Sequence, residues 1–218
     1  ISFSVAKKAF IDLGAKVIDI GLISTPSFYF SVFHYGFDAG FQVTASHNPK
    51  EYNGAKFVLN SPQGLIKIGK STGMEDVKNM AIEGKFADPV PGGSEIKKDG
   101  ILDDEVTAAL SILDNPTVNK YKVVADTANA MGAQYIQALF ERVPADLIKM
   151  NFEFDGTFPA HQPDPLNFAN LVDLQKKVLE ENADFGLAPD GDGDRLFFID
   201  DLGRVVQASV ITSIISKE

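Results

Sequence analysis

Asp190-Gly191-Asp192-Gly193-Asp194-Arg195 places three carboxylates at alternate positions, separated by glycines and flanked by apolar runs. Folding alone gives no reason for such a spacing. Three like charges this close raise one another's pKa and strain the folded state unless a cation sits among them. Mg²⁺ suits the set, because it accepts a few carboxylates and takes its remaining ligands from phosphate or water. The glycines allow the backbone to curl so that the side chains converge. A solvated acidic turn is the competing reading. An EF-hand does not fit, since its sixth position would be Arg195 in place of Gly and its twelfth Asp201 in place of Glu.

A second group, Thr44-Ala45-Ser46-His47-Asn48-Pro49, follows the strand-like Phe41 to Thr44. It predicts an exposed hydroxyl, Ser46, in a tight turn, with His47 and Asn48 as donors beside it and backbone N–H groups able to hold an anion. Ordinary turn chemistry explains the same residues equally well. A Ser-His-Asp hydrolase does not, because adjacent Ser and His seldom let the base reach the hydroxyl, and no Gly-x-Ser-x-Gly elbow is present.

The elements that must carry these loops are legible from periodicity. Val5 to Leu13 reads as a helix closed by Gly14, and Lys16 to Gly21 as a strand. A helix from Thr25-Pro26 to Tyr35 precedes strands at Phe41 to Thr44 and Gly54 to Leu59. Gly64 to Gly93 yields only a helix at about 74–82, followed by a helix at about 103–113. Asp114-Asn115-Pro116 then breaks the chain. Beyond it come strand 121–125, helix 132–142, strand 146–150, helix 170–181 capped by Asn170, strand 185–188, strand 196–199, and a helix starting near Ala208. Strands alternating with helices predict an α/β protein of two consecutive, mixed and largely parallel domains of similar architecture, residues 1–115 and 116–218. The acidic motif then falls in a loop between strands, where α/β folds place their sites.

Composition narrows the function classes. The 218 residues are 44% hydrophobic and 23% charged, an ordinary soluble balance. A formal net charge of −10 argues against nucleic acid and against anionic membrane surfaces. The absence of cysteine removes any disulfide framework and fits a reducing, cytoplasmic setting. Ile1-Ser2-Phe3-Ser4 lacks the layout of a signal peptide. The sequence assigns no oligomeric state.

Three stretches together carry a resemblance. Thr44 to Pro49 with Tyr52-Asn53-Gly54-Ala55-Lys56, then Asp155-Gly156-Thr157-Phe158-Pro159-Ala160-His161-Gln162-Pro163-Asp164-Pro165, then Asp190 to Arg195, resemble the α-D-phosphohexomutase family in order. The phosphomannomutase/phosphoglucomutase branch is the most similar. The resemblance implies an isomerase that moves a phosphoryl group between C1 and C6 of a hexose phosphate through a phosphoserine and a bisphosphorylated sugar. It implies Ser46 as the phosphoserine, completing an Mg²⁺ shell with Asp190, Asp192 and Asp194. Arg195 would meet phosphate charge, and Lys56 would be the general acid/base with His47 assisting. From the residues alone, Lys56 is equally a solvent-facing strand lysine, His161 a structural residue among prolines, and His34 a packing or surface residue.

Members of that family carry four domains in longer chains. This sequence begins after the family's first strand and stops near the start of a helix, so an incomplete portion of the enzyme is expected, with the first strand missing and the end of the second domain truncated. Pro189, and the Asn129-Ala130-Met131-Gly132 turn, depart from the family pattern outside the catalytic positions. The alternative from another class is a non-catalytic Mg²⁺-binding phosphoprotein or regulatory fragment. Water as acceptor would make it a phosphatase. Tyr52 leans away from the phosphoglucosamine branch, where an Asp is usual.

Overall fold

The computed structural model describes residues 2–217. It divides into two compact units: residues Ile1–Thr44 with Asn53–Ile101, and Ala45–Tyr52 with Leu102–Glu218. The chain passes between them at Ile101, ahead of the break at Asp114-Asn115-Pro116. The Ser46 loop groups with the second unit although its flanking strands belong to the first.

In the first unit, α1 (Ser2–Asp12) leads into β1 (Lys16–Asp19), and α2 (Thr25–His34) into β2 (Ala39–Val43), β3 (Ala55–Ser61) and β4 (Gly64–Lys67). The Ser24 hydroxyl caps α2 by accepting from Ser27 N–H, and Pro26 sits in its first turn, where a missing N–H costs nothing. Phe28 and Val32 on its inner face pack on Val58 of β3. α3 (Glu75–Glu83) and β5 (Ser94–Lys97) complete the unit.

Strands separated by helices pair parallel, as β1 does with β5. Strands with no intervening helix pair antiparallel, which makes β2-β3-β4 an antiparallel sheet. The architecture is therefore α/β with mixed strand directions. The β3–β4 turn needs only Pro62 and Gln63, and no crossover helix is available to run β4 the other way. β4 and β5 escape sequence reading because neither alternates between a buried and an exposed side.

The second unit opens with α4 (Ile101–Ile112), then β6 (Lys122–Asp126), α5 (Gly132–Phe140), β7 (Asp146–Met150), a 3-10 turn (Phe168–Leu171), α6 (Val172–Glu181), β8 (Phe185–Pro189), β9 (Leu196–Asp200), β10 (Val205–Val206) and α7 (Ala208–Ile215). Its sheet runs β10-β9-β8-β6-β7, with β7, β6 and β8 parallel and β9 and β10 antiparallel. Leu174 and Val178 of α6 cover one face with Val124, and Ile136 of α5 covers the other with Val123 and Ala125. Both faces of β6 are thus buried, which explains its unbroken apolar run. Each fully buried Leu or Val contributes roughly 1.5–3 kcal/mol.

One sequence expectation is corrected. α6 begins at Val172, preceded by the 3-10 turn whose cap is Asn167, accepting from Ala169 N–H. Asn170 does not cap. Its amide is engaged elsewhere, donating to the carbonyls of Gln162 and Asp164 at 2.9 Å each.

Candidate functional site

The acidic loop spans the end of β8 to the start of β9, whose register pairs Pro189 with Leu196. Pro189 is tolerated there because the β6 ladder has already ended at Leu187, so its missing N–H leaves no gap. Asp190 N–H donates to Arg195 O at 3.1 Å, and Gly193 N–H to Asp190 O at 3.1 Å, closing a tight hairpin. Gly193 takes a left-handed φ of 77°, a conformation glycine adopts without steric cost.

Curling of this kind brings carboxylate oxygens of Asp190, Asp192 and Asp194 within 4.8 Å of one another. Asp190 is 0% exposed, and its Oδ2 has no hydrogen-bond partner. Burial first, and then the charges of Asp192 and Asp194, push its carboxyl up to about 6, against the opposing pull of the Arg195 backbone N–H and side-chain charge. Arg195 Nε lies 3.6 Å from Asp190 Oδ2 and 3.9 Å from Asp194 Oδ1, too far for good hydrogen bonds. A buried carboxylate oxygen without a hydrogen-bond donor, in an all-oxygen trio, fits a hard divalent cation such as Mg²⁺.

The Ser46 loop belongs to the same unit. Asn48 N–H and side-chain amide both donate to Ala45 O, at 3.1 and 2.8 Å, holding a turn in which Ser46 has a left-handed φ of 57°. For a serine this is an uncommon conformation, which sequence reasoning did not find. It presents Ser46 Oγ to Asp192 Oδ1 at 3.2 Å and to His47 Nδ1 at 3.3 Å. Ser46 is half-buried, where the sequence predicts exposure. Its carbonyl side is packed against Gly191 of the acidic loop.

Arg195 completes the cluster. Its guanidinium lies 2.9 Å from His47 Nδ1. Arginine only donates, so Nδ1 accepts and the neutral ring carries its proton on Nε2. Ser46, His47, Asp190, Asp192, Asp194 and Arg195 therefore meet in the second unit. Lys56 belongs to the first, on β3 opposite Gln42. It is half-buried, and its Nζ is 3.5 Å from Thr25 Oγ1, which in turn donates to Gln42 Oε1 at 2.7 Å.

Sequence reasoning read His161 as structural and gave no role to Gln162 and Pro163. Gln162 Nε2 donates to His47 O at 2.7 Å, and Pro163 O accepts from Gly191 N–H at 3.0 Å. His161 Nε2 faces Asp126 Oδ2, and its Nδ1 faces Gln162 O, each at 3.0 Å. The Asp126 hydrogen bond dominates in raising the His161 pKa above its ordinary 6.5, against burial. The sequence signal was a polar pair embedded among prolines, which marks a rigid loop without saying what it touches.

Two models of the phosphoglucomutase/phosphomannomutase family match most of the chain: α/β/α domain I over residues 3–81 and domain II over residues 104–203. A phosphomannomutase of Vibrio cholerae is 34% identical over 211 residues, 94% of this chain and 45% of that protein. A phosphomannomutase/phosphoglucomutase of Pseudomonas putida is 34% identical over 199 residues, 91% of this chain and 41% of that protein. The chain thus spans less than half the length of these relatives. A crystal structure of a phosphoglucomutase/phosphomannomutase family protein from Burkholderia thailandensis superposes with a TM-score of 0.82 at 27% identity. That match covers 99% of this chain and 48% of the other.

Proposed function

Because this chain belongs to the phosphoglucomutase/phosphomannomutase family, we propose that it carries the phosphoserine loop and the metal loop of a hexose-phosphate mutase. The observation that supports this reading best is Ser46 Oγ at 3.2 Å from Asp192 Oδ1, beside three converging carboxylates. Three carboxylates crowded beside one hydroxyl are a poor arrangement for stability without a cation. It is a good one for a phosphoryl group that shares a cation with the trio.

In this reading Ser46 Oγ carries the phosphoryl group in the resting enzyme. A sugar hydroxyl oxygen bonds to phosphorus as the P–Oγ bond breaks. The hydroxyl proton passes by way of Lys56, the general acid/base, with His47 assisting, and Ser46 ends as a hydroxyl. The bisphosphorylated sugar then returns its other phosphoryl group to Ser46 by the reverse exchange, so the net change is phosphate moved between C1 and C6. Asp190, Asp192 and Asp194 hold Mg²⁺, which when bound neutralises charge on the transferring group. Arg195 adds fixed positive charge beside Ser46, and its bond to His47 holds that ring in one tautomer. Positioning and charge neutralisation are the two tasks a loose phosphoryl transition state leaves to a protein.

The substrate class is a hexose phosphate, and a cytoplasmic location accords with a soluble sugar phosphate. Among the described residues, no helix is long and apolar enough to cross a membrane. The deciding test is intact-mass analysis and peptide mapping after treatment with Mg²⁺ and a hexose 1,6-bisphosphate. One added phosphate on Ser46, absent from Ser46→Ala, is expected; a phosphate mapped to any other residue overturns the assignment.

A further inference from the structure

The Ser46 loop and the acidic loop are 144 positions apart in sequence, yet Ser46 Oγ must lie within reach of the carboxylates for the reaction proposed above. Two side-chain bonds join the loops directly, Ser46 to Asp192 and Arg195 to His47, and both involve residues given roles in the reaction. Ser46 Oγ, which loses and accepts the phosphoryl group, cannot also be the tether that fixes its own loop. A tether at non-reacting atoms leaves it free to do so.

The segment His161-Gln162-Pro163 touches both loops through main-chain atoms that take no part in chemistry. On one side Gln162 Nε2 donates to His47 O at 2.7 Å, which fixes the His47–Asn48 peptide, the second one after Ser46. On the other, Pro163 O accepts from Gly191 N–H at 3.0 Å, which fixes the peptide between Asp190 and Asp192. The segment is itself held to the sheet. Gln162 O accepts from Asn170 Nδ2 at 2.9 Å and faces His161 Nδ1 at 3.0 Å. His161 reaches Asp126 at the end of β6, a residue 2% exposed whose other oxygen accepts from Ala128 N–H at 3.0 Å and Asn151 Nδ2 at 2.8 Å.

We infer that Gln162 is the positioning residue that sets Ser46 against the acidic loop, with His161 and Asn170 anchoring it to the sheet. The inference rests on the reading of Ser46 as the phosphoryl carrier, but its structural half stands without it. Ser46 sits at φ 57°, a conformation that a free serine turn leaves readily. The Gln162 bond to His47 O restrains the chain one peptide beyond the Ser46–His47 link. Because it touches a carbonyl and no reacting atom, losing it should misplace Ser46 Oγ without emptying the metal site. A misplacement of about 1 Å costs about 10²-fold in rate.

Gln162→Glu tests this at nearly constant volume, since a carboxylate cannot donate to a carbonyl, and Gln162→Ala repeats the test without the added charge. Hydrogen exchange of the Ser46 to Asn48 amides should speed by about tenfold or more in both variants, while β6 and β8 keep wild-type protection. Mg²⁺ affinity by calorimetry should stay within about threefold of wild type in Gln162→Ala, which leaves the Pro163–Gly191 bond in place. Ser46 phosphorylation by hexose 1,6-bisphosphate should slow by about 10²-fold at saturation with the half-saturating concentration unchanged. Unchanged exchange in the 46–48 amides overturns the inference, as does a wild-type phosphorylation rate in Gln162→Ala. If the wild-type chain takes no phosphate on Ser46, the mutase reading fails, and the exchange result still decides whether Gln162 holds the loop.

Discussion

Gly191 lies so close to Ser46 that a β-carbon at position 191 would collide with the Ser46 carbonyl oxygen and meet Pro163 Cγ at 3.3 Å. The glycine between the first two carboxylates therefore does more than bend the acidic loop. It lets the serine loop nest against it. Its carbonyl also accepts from Met131 N–H at 3.2 Å, so the acidic loop cannot slide away from the serine loop without breaking a main-chain bond.

Gly191→Ala should accordingly separate the loops. The expected cost in stability is about 1–3 kcal/mol, the usual price of overpacking. Ser46 phosphorylation should fall by about 10²-fold, as for a displacement near 1 Å. Denaturant unfolding and single-turnover mass spectrometry measure the two effects. A rate within about twofold of wild type would mean that the loops do not need this approach.

Removal of one acidic side chain should separate metal binding from folding. Asp190→Asn replaces a buried carboxylate, one oxygen of which has no hydrogen-bond partner, by a neutral amide of the same shape. Without metal, that variant should unfold no more easily than wild type at neutral pH, because a buried charge that Arg195 offsets only from 3.6 Å, among two other carboxylates, is lost. With Mg²⁺ at about 100 times its Kd, wild type gains about 2.7 kcal/mol, and the variant should gain almost none. Asp192→Asn and Asp194→Asn should lose the same gain. Equal Mg²⁺-induced shifts in melting temperature for wild type and all three variants would refute the metal site.

A different pH signature belongs to His161. Both ring nitrogens face acceptors, Asp126 Oδ2 and Gln162 O, and only the doubly protonated ring can donate to both. Its pKa in the folded protein is raised from 6.5, chiefly by the Asp126 hydrogen bond. The folded state thus binds the proton more tightly than the unfolded chain. The resulting stability is fully present below pH 6.5 and is lost as pH rises through the higher folded value. The stability gap between wild type and His161→Asn should therefore be widest in mildly acidic solution and narrow with rising pH. NMR titration of the His161 ring and denaturation at several pH values check this; a gap that widens with pH would contradict it.

The elements with a clean period were legible in the sequence, and so were the residues of the acidic loop. The centre of β6, Val123 to Ala125, is apolar because α5 and α6 cover both of its faces, and α2 declares itself through Thr25-Pro26. β5 was not legible because all four of its residues are exposed, which leaves no face for the alternation to mark. β10 has only two residues, too few for any period. The left-handed Ser46 escaped for another reason. Nothing in Ala45-Ser46-His47 demands φ above zero, and the conformation is set by the packing of Gly191 and by Gln162, both far away in sequence.

Arg195 offers a test of whether geometry or charge matters beside Ser46. Its guanidinium spans two groups, with one nitrogen 2.9 Å from His47 Nδ1 and Nε 3.6 Å from Asp190 Oδ2. A lysine keeps the charge but has a single nitrogen, which cannot hold the histidine tautomer and face the carboxylate together. If the fork is what the site uses, Arg195→Lys and Arg195→Gln should slow Ser46 phosphorylation alike, by about 10²–10³-fold, the scale for losing a fixed electrostatic donor. Mg²⁺ should bind Arg195→Gln at least as tightly as wild type, because a competing cation beside Asp190 and Asp194 is gone. Single-turnover phosphorylation with calorimetry of the same samples separates the two effects. Near-complete rescue by lysine would show that Arg195 acts as a point charge and that its bond to His47 is incidental.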